Sequence, residues 1–343
     1  MNELASEPSV LPIGTDLILL DPPVLSRSAV RRDEPLRVDT ARQLACWPTA
    51  QLVVVDAEGR TPVEWREQPG DGFRGGDAGT WDVANGSGGR LRTRPTTGDS
   101  PVAGAVLLGE ADGVAYWAVR GRPDLVASED FTDWADLRMA GAVLDALGAG
   151  LLTTAVAVLN WHDSALFCGR DGSPTHPEHA GWHRVCEAAG HEDHPRTDPA
   201  VICLVHDGAE QVLLSRNIGW PAGRFSVQAG FVESGESLEA CVLREIGEET
   251  GARVRDIRYL GSQAWPFPRS LMVGFHAIAD PSAPLLPADG EIAEAMWVTR
   301  AELRAALARG DWGGRVEPGE RLVLLPGKVS IARSMLESWA EVG

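Results

Sequence analysis

Long apolar runs are absent from this 343-residue chain: no window approaches eighteen continuous apolar residues, which gives no candidate for a membrane-spanning helix. The opening MNELASEPSV lacks a basic stretch followed by an apolar core, so no secretory leader is expected and the chain is read as cytoplasmic. Cysteine is scarce. Cys46, Cys168, Cys186, Cys203 and Cys241 are too few and too scattered for a disulfide framework. Cys203 in an apolar run and Cys241 in an acidic stretch read as small buried thiols. Positive charge is also short: 31 Lys and Arg against 49 Asp and Glu leave a formal charge of −18. That balance excludes a broad electrostatic grip on nucleic acid or anionic membrane, so an RNA would have to be held locally.

What the chain does have is 44% hydrophobic content, enough for proper cores, and a length that suggests about two domains. Short strand signals run through the first part: QLVVVD at 51–56, AVLLGE at 105–110 and VAYWAV at 114–119. They predict a β-rich domain over 1–132, with a loose start at 1–12 and a mobile glycine-rich stretch at 69–90. Residues 133–166 carry a helical pattern, Leu137, Ala140, Val143 and Leu144 followed by Leu151 to Trp161, and the GAG at 148–150 predicts a break between two helices. Such a pair would bridge the two domains, and the segment 133–198 is set apart on that basis. Arg138 on the first helix is a candidate phosphate contact, although an arginine on a helix is ordinarily solvated.

Organisation centres on Gly230 to Gly251, GFVESGESLEACVLREIGEETG. Glu245, Glu248 and Glu249 stand at i, i+3 and i+4 and would share a helix face. Like charges so spaced disfavour a helix by roughly 0.2 to 0.5 kcal/mol per pair, so a surface with no use for them has little reason to gather them. Leu238, Val242 and Ile246 give the same helix a core-facing stripe. Ser237 fits the N-cap and Gly251 the left-handed position past the end. Such a face suits a hard divalent cation.

Gly230, five residues, Glu236, seven residues, then Arg244, Glu245, Ile246, Glu248, Glu249 and Gly251 resembles the Nudix box, with small Ala252 in the final apolar place. The resemblance implies a Nudix α/β/α sandwich over 199–343 and hydrolysis of a nucleoside diphosphate linked to another group. It implies Mg or Mn carried by Glu245, Glu248 and Glu249, with the carbonyl of Ala229 beside them and Arg244 orienting a glutamate. Which glutamate serves as general base stays open.

Four further stretches narrow the resemblance to NADH pyrophosphatases. Ser262 to Ser270, SQAWPFPRS, resembles that family's SQPWPFPxS array, which implies substrate contacts at Gln263, Ala264, Trp265, Pro266, Phe267, Pro268, Arg269 and Ser270. EIAEAMWV at 291–298 resembles its ELLEANW segment, making Glu291 a further metal ligand, and KVSIARSML resembles its closing helix, placing Ala332 at the substrate. Residues 167–196 resemble its zinc ribbon, where two Cys-x-x-Cys pairs hold one ion. Here Cys168 is followed three residues later by Asp171 and Cys186 by Ala189. His176, His179, His183, His191 and His194 stand near as substitutes in principle, yet histidines in polar loops usually face solvent. The reading is a ribbon that keeps its fold and holds no zinc, with Cys168 and Cys186 as remnants.

Together these imply an NAD(H) diphosphatase yielding NMN(H) and AMP, acting also on NAD-capped RNA ends, and working as a homodimer. The alternatives are a Nudix enzyme for ADP-ribose or another nucleotide sugar, and a non-catalytic nucleotide sensor. Intact acids throughout the box disfavour the sensor.

Overall fold

The computed structural model describes residues 17–65, 88–121, 133–313 and 323–342. The loose start expected at 1–12 and most of the stretch expected to be mobile, 69–90, lie outside the described residues.

The first unit begins with two short helices, α1 (Glu34–Val38) and α2 (Thr40–Cys46), whose N-termini are capped by Asp33 and Asp39. Strands β1 (Gln51–Val55), β2 (Arg60–Trp65), β3 (Gly89–Leu91), β4 (Arg94–Pro95), β5 (Val106–Ala111) and β6 (Val114–Arg120) follow. Four of them form a sheet in the order β4-β1-β6-β5, with β1 and β6 parallel. Because alternate residues face opposite sides, the run QLVVV is covered twice. Val53 and Val55 enter one core, while Leu52 and Val54 enter another with Trp47 and Trp117.

The structure departs from the expected helical bridge. Trp134–Asp136 is a strand, β7, paired with β2, so the expected boundary at 132 falls where the first unit is still pairing strands. After the short α3 (Leu137–Ala140), one helix, α4, runs from Ala146 to Ser164 straight through the GAG. Asp145 caps it, accepting from the Gly148 N–H at 2.7 Å. The glycines serve close approach instead of a break: a Cβ on Gly150 would stand 3.2 Å from the Arg27 carbonyl and Ser28 Oγ. Leu151, Leu152, Ala155 and Leu159 of α4 lie in the core shared with Val53 and Val55, so this helix belongs to the first unit.

A three-stranded antiparallel ribbon comes next, β8 (Thr175–Glu178), β9 (His183–Cys186) and β10 (Glu192–Asp193). Arg184 Nη1 meets His162 Nδ1 of α4 at 2.9 Å, and the Trp182 indole donates to the Leu107 carbonyl at 2.6 Å, which dock it on the first unit.

The remaining strands are β11 (Asp198–His206), β12 (Gln211–Asn217), β13 (Gln228–Phe231), β14 (Val254–Trp265), β15 (Ser270–Ala279) and β16 (Ile292–Thr299). Their sheet runs β14-β15-β11-β12-β16, with β13 also paired to β11. Helix α5 (Leu238–Thr250) covers one face through Cys241, Val242 and Ile246, against Val201, Cys203 and Val205. Helices α6 (Arg300–Ala308) and α7 (Ile331–Glu341) cover the other, against Ile202 and Leu204. The fold is thus an α/β/α sandwich preceded by a β-rich unit and a ribbon. Strands β11 and β12 pair only at their closed end, His206 to Val212, and β13 pairs with β11 from Ala200 to Cys203. That divergence opens the sheet toward the acidic helix.

Candidate active site

Local chemistry fixes α5 at both ends. Ser237 Oγ accepts from the Ala240 N–H at 3.1 Å, and Gly251, at φ +73°, donates to the Gly247 carbonyl at 3.0 Å. The helix buries Val242 and Ile246, and its three acids then differ sharply in surroundings. Glu249 is 7% exposed, Glu245 is half-buried and Glu248 is exposed. Glu245 lies so close to β13 that a Cβ on Gly230 would be 1.9 Å from its carboxyl carbon. An alanine there would push the Glu245 carboxylate out of its place.

Arg244 organises the group. It forks onto Glu236, Nε to Oε1 and Nη2 to Oε2, both at 2.9 Å. Nη1 donates to Glu245 at 2.9 Å and to Glu248 at 3.2 Å, and Nη2 also reaches the Phe231 carbonyl at 3.0 Å. One planar guanidinium therefore positions two acids of the helix and ties them to the preceding loop.

Environment separates these carboxylates. The hydrogen bonds from Arg244 pull Glu236 down to about 2. Burial pushes Glu245 upward, opposed by Arg244. Burial, then the charges of Glu245 and Glu291, push Glu249 up to about 8, and its Oε2 is buried with no hydrogen-bond partner. An acid so placed calls for a cation, and the surrounding donors, carboxylates with the Ala229 carbonyl, are the hard oxygens that Mg or Mn prefer. Among the described residues no three of these carboxylates bring ligand oxygens within 4.8 Å of one another, so an ion would have to draw them in.

Glu249, Ala229 and Glu291 line a cleft of about 540 Å³, within the range of small-molecule sites. Of the residues expected at the substrate, Arg138, Trp265 and Ala332 line it. Gln263, Ala264, Pro266, Phe267, Pro268, Arg269 and Ser270 do not, and the reasons are visible. Gln263 is 1% exposed, accepting from the Leu25 N–H at 3.3 Å and donating to the Val329 carbonyl at 3.0 Å, so it joins the first unit to the sandwich. Arg269 pairs with Asp198 at 2.7 Å. Ser270 is buried opposite Trp265 in the β14–β15 ladder, and Ala264 pairs with Leu271. The Pro266 carbonyl accepts from Asn160, and Phe267 packs on the first core beneath the Arg138 guanidinium, 3.5 Å above its ring centroid. Trp265 does both jobs, facing the cleft and packing on that core.

Sequence reasoning missed another part of the lining. Trp220 and Trp312 stand with ring centroids 4.8 Å apart, Arg224 lies 5.9 Å over the Trp312 ring, and all three line the cleft with Asp311. Their signal was faint: tryptophans set among glycine and proline in the loops NIGWPAGR and GDWG.

Where the sequence leaves two thiolates as remnants, the ribbon brings further donors beside them. Two matching turns, with the Gly172 N–H on the Cys168 carbonyl and the Gly190 N–H on the Cys186 carbonyl, each at 2.9 Å, bring four donors together. Cys168 Sγ is 3.4 Å from His191 Nδ1, Cys186 Sγ is 3.4 Å from Asp171 Oδ2, and all four ligand atoms lie within 4.8 Å of one another. Asp171 stands where a thiolate was expected, and His191 supplies what Ala189 cannot. The set fits zinc.

Two family models match this chain: the NUDIX domain over residues 196–317 and the NADH pyrophosphatase zinc ribbon domain over 163–192. The NAD-capped RNA hydrolase NudC of Mycobacterium tuberculosis and that of Mycobacterium bovis are each 48% identical over 329 residues, 95% of this chain and 97% of theirs. The mitochondrial NAD(P)H pyrophosphatase NUDT13 of Mus musculus is 40% identical over 208 residues, 60% of this chain and 58% of its own length. Joined to the acidic helix and the ribbon ahead of it, a match along nearly the whole chain means that this protein belongs to the NADH pyrophosphatase family of Nudix hydrolases.

Proposed function

We propose that the protein hydrolyses the pyrophosphate of NAD(H) to NMN(H) and AMP, and removes the NAD cap from RNA ends. The observation that carries this reading is the cleft itself, lined by a buried Glu249 whose Oε2 has no hydrogen-bond partner and by Trp220, Trp265 and Trp312. The names of the full-length relatives support it.

Glu245, Glu249 and the Ala229 carbonyl, with Glu248 and Glu291, would hold a divalent ion, Mg or Mn, which when bound would supply charge neutralisation for the pyrophosphate and a more acidic water. The chain's own groups do the rest. Arg244 holds Glu245 and Glu248 by hydrogen bonds, which limits the range over which the acids move as they close on a bound ion. Glu248, 63% exposed along its side chain, is open to accept a proton from the attacking water. Arg138 and Arg224 offer positive charge to the two phosphates, and the tryptophans stack on the base and nicotinamide rings. An NAD-capped RNA presents the same pyrophosphate, and with a charge of −18 the protein would grip it at the capped end instead of along its backbone.

In this reading Cys168, Asp171, Cys186 and His191 hold a structural zinc, two chains pair as a homodimer, and the setting is cytoplasmic. Five unpaired cysteines agree with a reducing compartment.

The test is product analysis of NADH, NAD, ADP-ribose and an NAD-capped RNA with Mg or Mn, against an EDTA control. NMNH and AMP from NADH, abolished by EDTA, are expected. Cleavage of ADP-ribose alone would overturn the substrate, and no cleavage of any would overturn the reaction.

A further inference from the structure

The ribbon carries a second group of metal-binding side chains that zinc at Cys168 and Cys186 leaves unused. Alternation along β9 puts His183 on the face opposite Cys186. His183 is 4% exposed, and neither of its ring nitrogens has a hydrogen-bond partner. Glu192 Oε2 stands 3.6 Å from its Nε2, longer than a hydrogen bond. Buried imidazoles almost always find a partner, so this one is an exception that asks for a reason.

Its neighbours supply one. The His179 and His194 rings lie 4.8 Å and 4.7 Å from the His183 ring, the latter within 9° of parallel. Glu178 faces His183 across the β8–β9 pair. Ligand atoms of Glu178, His179 and His183 fall within 4.8 Å of one another, as do those of His183, Glu192 and His194. The turn that presents His179 runs through left-handed backbone at two successive non-glycine residues, His179 at φ +48° and Ala180 at φ +51°. Ordinary packing accounts for a histidine stack but not for a buried ring with both nitrogens idle.

We propose that His183 anchors a second divalent transition-metal ion, bound with His179 and His194 and a carboxylate from Glu178 or Glu192. Imidazole nitrogen with carboxylate oxygen and no thiolate suits zinc, nickel or copper over Mg or Mn. Zinc bonds of about 2.0 to 2.2 Å place tetrahedral ligand atoms about 3.4 Å apart, so within each group of three the ligand atoms must close by up to about 1.4 Å, and His179 and His194, which belong to separate groups, must also turn toward one ion. The exposed His179, His194, Glu178 and Glu192 are free to make that movement. The site is separate from the cysteine site and from the acidic cleft, and would clamp the turn between β8 and β9 onto β10.

The full-length protein, with excess Mg to occupy the acidic cleft, is dialysed to equilibrium against micromolar zinc chloride, and bound zinc per chain is measured. His179→Ala/His194→Ala is expected to bind one equivalent less than the wild type, with an unchanged circular dichroism spectrum because both side chains are exposed. Cys168→Ser/Cys186→Ser is expected to keep the equivalent that the histidine variant loses. In a cobalt titration the histidine variant should retain the thiolate charge-transfer band that the cysteine variant lacks. Wild-type zinc content in the histidine variant would overturn the proposal, and so would loss of all bound zinc from a folded cysteine variant.

Discussion

Glu249→Gln removes a charge without changing shape, and the structure sets opposite outcomes with and without cations. Burial and the neighbouring Glu245 and Glu291 raise this carboxyl from 4.5 to about 8 in the cation-free protein. A carboxyl raised by folding costs nothing below its unfolded value. The cost grows as pH rises through 4.5 toward 8, because the unfolded chain gives up its proton first. At about pH 7.5 the difference spans about three units, or about 4 kcal/mol at 1.36 kcal/mol per unit. The glutamine amide, also short of partners, returns about 1 to 2 kcal/mol of this, leaving a net gain of about 2 to 3 kcal/mol. In EDTA the variant should therefore melt about 3 to 4 °C above the wild type. Millimolar Mg should reverse the order, raising the wild type and barely moving the variant, while turnover of NADH falls by about 10² to 10³. Differential scanning calorimetry in EDTA and in Mg, beside steady-state kinetics, reads both effects. A variant that melts no higher than the wild type in EDTA, or one that keeps near-normal turnover, would refute the assignment of Glu249 as a cation ligand.

Gly230→Ala would place a methyl group 1.9 Å from the Glu245 carboxyl carbon; Glu245 must leave Arg244, and kcat should drop at least about tenfold with the circular dichroism spectrum unchanged. Unaltered kcat would mean Glu245 needs no fixed position. Trp312→Ala should raise KM for NADH by about 3- to 10-fold at little cost in stability, whereas Trp265→Ala should raise KM and also lower the melting temperature, because Trp265 packs on the first core as well. Equal melting of the two variants would contradict that double role. Burial, then His276, holds His206 down at about 4. A depressed imidazole contributes stability that is whole above about 6.5 and is lost as pH falls toward 4, up to about 3 kcal/mol, so His206→Gln should flatten the acid limb of a melting-temperature profile.

What the sequence determined by itself was local and chemical. The stripe of Leu238, Val242 and Ile246, the Ser237 cap and the Gly251 stop are short-range patterns, and α5 forms within them. The strands at 51–55, 106–111 and 114–120 were legible because β-branched and apolar runs bounded by turn residues have few other fates. The spacing of Glu245, Glu248 and Glu249 named the chemistry. Tertiary structure decided whatever depended on distant neighbours. The GAG looked like a helix break until Arg27 and Ser28 were found packed against it, which made glycine the residue that fits inside α4. Gln263 looked like a substrate contact until Leu25 and Val329, far away in the chain, used both ends of its amide. The lining by Trp220, Arg224 and Trp312 comes from two loops about ninety residues apart, and no periodicity links them. Ligand spacing in the ribbon was not enough for the same reason: Cys-x-x-Asp and Cys-x₄-His close one set of donors only when two turns face each other. The three acids of α5 differ in protonation because burial differs along one helix face, and burial is a property of the folded whole.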